Sequence, residues 1–205
     1  MTTHTLRRWG AVLLTGGLLL TTAYLIYPAS AHSSLIRPAA ALGLAGVLLA
    51  LPAMVAFQVA QSGRAPVPGW IGTVLLVLGI ASLEIPHLVK GLFDPSSLYD
   101  LDAYHSSVFG AMEFYGIVAL SVGMIVLAVA TWRSGFYPRL AFWLLVVNIV
   151  VSAVGSSVPA IGDTVRQPAP SYLLMGLLGL AMRQAAGHPG AVSSRRTESA
   201  TSAVS

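Results

Sequence analysis

Two acids and two histidines stand inside or at the edge of long apolar runs: Glu84 and His87 in one, His105 and Glu113 in the next. Carboxyl groups are costly inside a bilayer, so one that is kept there marks a candidate site. Glu84, His87 and Lys90 are spaced at three and fall near one face of a helix. His105, Phe109 and Glu113 are spaced at four, along one ridge of the next helix. A short loop joins the two runs and makes them antiparallel neighbours. Both histidines then lie near the same surface, with Glu113 about 12 Å deeper than His105 at 1.5 Å per residue and Glu84 at an intermediate depth. Asn148, Ser152 and Ser156 repeat the spacing of four on a later run and reach similar depths. Tyr104 stands at the rim.

Groups of these types suit acid–base chemistry. A buried glutamate holds its proton more tightly than one in water, and imidazole exchanges protons near neutrality. Together they can deliver a proton to an apolar substrate or remove one. On this reading Glu113 is the donor, Glu84 or His87 its partner, and His105, Asn148, Ser152, Tyr104 and Phe109 line the substrate. The same four groups, Glu84, His87, His105 and Glu113, are also fit to ligate a divalent metal. Glu84-x-x-His87 has the spacing used in di-iron bundles, but only one copy is present. The expectation is therefore a site without a resident cofactor, with the metal as a lesser possibility. A structural role competes with both: Glu113 and Asn148 can hydrogen-bond between helices, while His87, Lys90 and His105 lie near enough to an interface to be solvated.

The elements that must position these residues are apolar helices. Of 205 residues, 56% are hydrophobic and only 9% charged, against about a quarter charged in ordinary soluble domains. Six runs stand out, at about 9–27, 38–60, 70–90, 104–131, 140–158 and 169–182. They predict an all-α polytopic transmembrane bundle over 1–186, followed by a disordered tail over 187–205 that is rich in Ser, Ala and Thr. Pro52 and Pro86 lie inside runs and should bend them; Pro86 also frees the carbonyl of Ser82. Broken helices at membrane depth are tolerated where they line a cavity. The first run, after Arg7-Arg8 and before Ala29-Ser30-Ala31, reads as a retained helix in preference to a cleaved signal peptide, because its apolar part is long and Tyr24 and Tyr27 suit an interface.

With both termini cytoplasmic, eight basic residues fall inside (Arg7, Arg8, Arg64, Arg133, Arg139, Arg183, Arg195, Arg196) and three outside (Arg37, Lys90, Arg166), as the positive-inside rule requires. Trp9, Trp70, Trp132, Trp143, Tyr27 and Tyr172 fall at run ends, as an aromatic belt would. Glycines in the second and sixth runs, Gly43, Gly46, Gly176 and Gly179, offer close packing. The chain contains no cysteine, which excludes disulfides and thiol catalysis. No basic stripe with interleaved aromatics points to nucleic acid. No internal repeat of the kind common in transporters is evident.

The chain resembles small multi-helix membrane proteins of bacteria, including their short basic turn, here Arg133-Ser-Gly-Phe-Tyr-Pro-Arg139. One stretch, His87-Leu-Val-Lys90-Gly-Leu-Phe93 followed by Met112-Glu113, is similar to the emopamil-binding sterol isomerase family. That resemblance implies a proton shuttle that moves a double bond in a lipid, with His87 and Glu113 as the acid–base groups. Lys90-Gly91 stands where that family has its first acid, so Glu84 would have to substitute. Membrane-embedded terpene cyclases offer a second analogy, at the level of fold alone.

Three functions follow as expectations. The first is a protein of the cell membrane that binds a small or lipidic molecule in an outward-facing polar cavity, also conceivable as an accessory subunit. The second is an isomerase or cyclase acting on an isoprenoid or sterol-like substrate. The third is a proton or ion carrier, for which Gln58 is the one polar residue of the inner half of the second run. The bilayer and a small hydrophobic molecule are the expected partners; the oligomeric state is left open.

Overall fold

A computed structural model describes residues 1–26, 34–95, 108–157 and 169–187; for Phe109, Glu113 and residues 154–157 only the backbone is described. The described secondary structure is six α-helices: α1 (Thr3–Ile26), α2 (Ile36–Gln61), α3 (Pro66–Phe93), α4 (Val108–Ser134), α5 (Arg139–Ser157) and α6 (Ala169–Ala185). Among the described residues there is no strand. Four helices are long and apolar enough to cross a membrane: α1, α2, α3 and the Phe114–Ser134 part of α4; α5 contributes a shorter apolar helix over Arg139–Ala153. The bundle has the build of an integral membrane protein. The small-residue run Ala29-Ser30-Ala31, the part of the loop between the third and fourth runs beyond residue 95, the rim residue Tyr104 and the tail 188–205 lie outside the described residues.

Helix ends extend past the apolar runs because backbone hydrogen bonding does not stop where hydrophobicity does. At α1 the Thr2 hydroxyl accepts the Thr5 N–H at 3.2 Å, an N-cap that starts the helix six residues before Trp9,. At α3 the start moves to Pro66, whose missing N–H costs nothing in a first turn,. Pro52 and Pro86 do not end their helices: α2 and α3 run through them. Gly135 follows α4 with φ of 56°, the left-handed conformation that closes a helix and for which glycine needs no strain,.

The helices form a closed ring. Each packs extensively on its neighbours in sequence, and α6 returns to pack on α1. Successive helices alternate in direction, so Arg7, Arg8, Arg64, Arg133, Arg139 and Arg183 gather at one end and Arg37 and Lys90 stand at the other. Within a bilayer apolar burial does not drive helices together, so close backbone approach must. Glycines seven apart supply it. Gly72 and Gly79 of α3 face Gly123 and Gly116 of α4; a Cβ on Gly79 would meet the Leu120 nitrogen at 2.6 Å. Gly10 and Gly17 of α1 face Gly179 and Gly176 of α6 in the same antiparallel manner. Gly43 and Gly46 are likewise buried contact positions, whereas Ala41 and Ala45 on the same helix are exposed.

A polar lock ties the basic end. The Gln58 amide donates to the Ala65 carbonyl at 3.2 Å, and Gln61 donates to Gln58 at 2.9 Å and to Thr131 at 3.4 Å. The Ser134 hydroxyl lies 3.1 Å from Gln61 Oε1 and 2.9 Å from the Thr131 carbonyl. Tyr137 stacks on Phe57, centroids 4.1 Å apart, and donates to the Phe57 carbonyl at 2.8 Å. Gln58, fully buried, is thus engaged in joining α2 to the turn before α3.

Candidate functional site

Among the described side chains, the ring encloses the carboxyl group of Glu84. Glu84 is 4% exposed, on the face of α3 that also buries Leu76, Ile80 and Leu88. Its residue spacing of four from Ile80 and Leu88 puts the carboxylate on the core stripe, not on the lipid side. The Tyr24 hydroxyl donates to Glu84 Oε2 and the Tyr172 hydroxyl to Oε1. Tyr24 belongs to α1 and Tyr172 to α6, neither of which neighbours α3 in the ring, so the contacts cross its interior. The two phenol rings stack with centroids 5.5 Å apart. His87, one turn beyond Glu84, stacks on Tyr24 with ring centroids 6.4 Å apart. A carboxylate, two phenols and an imidazole therefore share one buried cluster.

Both oxygens of Glu84 act as acceptors, each toward a different phenol. The two phenols converge on the carboxylate from two helices, so three groups that can exchange protons share one hydrogen-bonded cluster. The Thr21 hydroxyl, one turn before Tyr24, donates to the Gly17 carbonyl at 2.7 Å and lies 3.3 Å from the Ala169 carbonyl. That contact holds the start of α6 against α1, and with it the stretch that carries Tyr172.

A second polar group adjoins the first through α6. The Asn148 amide of α5 donates to the Ser171 carbonyl at 3.3 Å, and the Ser152 and Ser171 hydroxyls lie 3.1 Å apart. Asn148 is 5% exposed, and its Oδ1 has no hydrogen-bond partner among the described residues. An unsatisfied buried acceptor is uncommon and calls for an explanation.

Of the site residues expected from sequence, Glu84 and His87 come together, and Asn148 and Ser152 meet at the α5–α6 contact. They meet Ser171, one residue from Tyr172, which the spacing of four did not indicate. Phe109 and Glu113 lie on α4, with only their backbone described, and Tyr104 and His105 lie outside the described residues. Among the described residues no group of three His, Asp or Glu side chains is placed to hold a metal. Two residues have roles that differ from the expected aromatic belt. Tyr24 and Tyr172 sit near helix ends in sequence, yet both are buried on Glu84. Trp70, Trp132 and Trp143 do face outward.

Comparison with protein-family models, with curated proteins and with solved structures gives no match.

Proposed function

We propose that this is a multi-pass protein of the cell membrane that binds a small or lipidic molecule at the Glu84 cluster. The supporting observation is the clamp itself: a buried carboxylate held by phenols from two helices that are not the ring neighbours of α3. α3 has 28 residues, which makes it about 42 Å long. Centred on a hydrocarbon layer of about 30 Å, it would hold Glu84 roughly 8 Å below the headgroups, at the end that carries Arg37 and Lys90 and not the other six described arginines. The positive-inside rule makes that end the outer one. A polar group at this depth is within reach of a lipid's polar–apolar junction.

The test is native mass spectrometry of the full-length protein released from mild detergent. A retained small molecule is expected in the wild type and should be lost from Glu84→Gln, which keeps the shape of the side chain. A folded variant that retains the same molecule at the same occupancy refutes the reading. One observation favours a second reading, an acid–base isomerase or cyclase: the phenol–carboxylate–phenol chain offers a route for a proton. In that case the molecule recovered from Glu84→Gln is the unconverted substrate, while the wild type yields product.

A further inference from the structure

We infer that the turn between α4 and α5 is a binding site for an anionic phospholipid of the leaflet at the arginine-rich end, held by its phosphate. The inference goes beyond the Glu84 reading and rests only on the bundle's place in a bilayer. Three exposed arginines border this turn: Arg64, just before α3, Arg133 at the end of α4 and Arg139 at the start of α5. The Arg64 guanidinium donates to the Gly135 carbonyl at 3.4 Å and lies over the Phe136 ring, 5.8 Å from its centroid. Arg139 lies over the Trp132 ring at 5.7 Å, and Arg133 is the next residue after Trp132. Aromatic faces thus hold two of the three side chains at the turn. No carboxylate neutralises them: Glu84, Asp94 and Glu113, the acids of the described residues, all stand in the opposite half of the bundle. Among the described residues, Arg133 and Arg139 have no hydrogen-bond acceptor. A guanidinium keeps its charge at every ordinary pH and presents N–H donors in a planar fork that matches phosphate. Three of them without an acid between them fit an anion with several acceptor oxygens.

The surface below these arginines fits a lipid in preference to a soluble anion. Trp132 and Trp143 are each more than half exposed, and Phe142 joins them, with centroids 4.7 and 5.1 Å away. An aromatic strip therefore crosses from α4 to α5 at the depth where indole rings meet headgroups. It continues into the membrane as Val129 and Ile125 on α4 and Val147 and Val150 on α5, all exposed and at helical spacing,. Among the described residues no glycine closes the seam between α4 and α5 as Gly72 and Gly79 close α3 on α4. Acyl chains have this strip to lie on while the phosphate meets the guanidinium groups. Arg7, Arg8 and Arg183 share the same end, on α1 and α6, but none of them lies over an aromatic ring among the described residues. They supply charge of the same sign without the rest of the site.

The experiment uses the full-length chain in mild detergent with equimolar dioleoyl phosphatidylglycerol and dioleoyl phosphatidylcholine, which share their acyl chains. Native mass spectrometry reads the bound lipid. An arginine near a headgroup is worth about fivefold in affinity for an anionic lipid. The wild type should therefore retain phosphatidylglycerol over phosphatidylcholine by about tenfold or more, and Arg133→Gln with Arg139→Gln should lower that retention by about 25-fold. Arg7→Gln with Arg8→Gln removes the same charge and should leave retention within about twofold, because that pair touches no lipid phosphate at the turn. All four positions are exposed, so the fold survives these changes. Trp132→Leu keeps an apolar surface and removes the ring beneath Arg139; it should lower retention about threefold, which a diffuse charge effect would not do. Equal retention of the two lipids by the wild type overturns the inference. So does an equal fall in the two double variants, which would leave only the general charge of that end. Displacement of the lipid by an equal amount of its chainless headgroup, glycerophosphoglycerol, also overturns it and makes the turn a site for soluble phosphate esters. Glu84→Gln should keep its phosphatidylglycerol, so this inference and the Glu84 reading stand or fall separately.

Discussion

Removing a single phenol from Glu84 separates a hydrogen-bonded clamp from side chains that merely lie together. Tyr172→Phe deletes the hydroxyl that reaches Oε1 and leaves the ring, and hence its stacking on Tyr24 at 5.5 Å, in place. Tyr24 bonds the other oxygen, so it cannot cover the loss without moving. Glu84 is 4% exposed and Tyr172 5%, so water does not readily replace the phenol. A hydrogen bond to a charged group is worth about 1.5–3 kcal/mol in soluble proteins. Interhelical hydrogen bonds in a membrane protein average about 0.6 and reach about 1.7 kcal/mol, because the unfolded chain in lipid also finds partners. The ranges meet near 1.5 kcal/mol, which is roughly a tenfold change in the unfolding constant.

The assay is reversible unfolding in mixed micelles with a rising fraction of dodecyl sulfate, read by fluorescence of the four tryptophans. Tyr172→Phe is expected to cost about 1.5 kcal/mol in the wild type and under about 0.5 kcal/mol in a Glu84→Met background, where its partner is gone. The difference isolates the contact. An equal cost in the two backgrounds would show that the phenol does not hold Glu84, and the reasoning about the cluster would fail with it.

Three further outcomes are expected. Gly79→Leu should weaken the bundle by about 2–4 kcal/mol in the same assay, in the range of badly overpacked core sites, because its Cβ meets backbone of α4 at 2.6 and 2.8 Å and backbone cannot turn aside; a neutral result would mean that α3 and α4 do not pack through glycine. Burial pushes the Tyr137 phenol well above the ordinary tyrosine value. The folded state therefore holds a proton that the unfolded chain releases, so its contribution is complete below about pH 10 and is lost as pH rises above that; Tyr137→Phe should flatten the alkaline limb of a stability–pH profile. Asn148→Leu should leave stability within about 0.5 kcal/mol of wild type or raise it, since it removes an unsatisfied acceptor together with one long hydrogen bond,; circular dichroism melts of the two proteins check this.

Six helices were legible because apolar runs are long and polar turns are sharp, and their boundaries moved mainly where capping or proline chemistry carried a helix past its apolar stretch. Glu84 and His87 were legible because an ionisable group inside such a run is conspicuous. Their partners were not. A tyrosine two residues from a helix end suits a headgroup region as well as a core, and only the closure of α6 onto α1 turns Tyr24 and Tyr172 inward. That closure joins the first and last helices, a contact that no local pattern encodes. A signal was nevertheless present: glycines seven apart in α1, α3 and α4 mark the close faces, and Gly10 and Gly17 match Gly179 and Gly176 in reverse order. Reading that match would have placed Tyr172 beside Tyr24.

Stability alone is a weak reason for an acid at position 84. A buried ion pair or polar triad can often be replaced by apolar groups of similar volume without loss, and sometimes with gain. The neighbours of Glu84 on its own face, Ile80 and Leu88, show that this stripe of α3 accepts aliphatic side chains. Tyr24→Phe, Glu84→Met and Tyr172→Phe combined would fill the same space with no desolvated charge. By the hydrogen-bond argument each single change is costly because it orphans the others, while the triple change orphans nothing. A triple variant as stable as the wild type would therefore remove packing as the explanation for the cluster and leave ligand or proton chemistry. A triple variant several kcal/mol weaker would instead make the clamp a structural element, with α1 and α6 held to α3 chiefly through it.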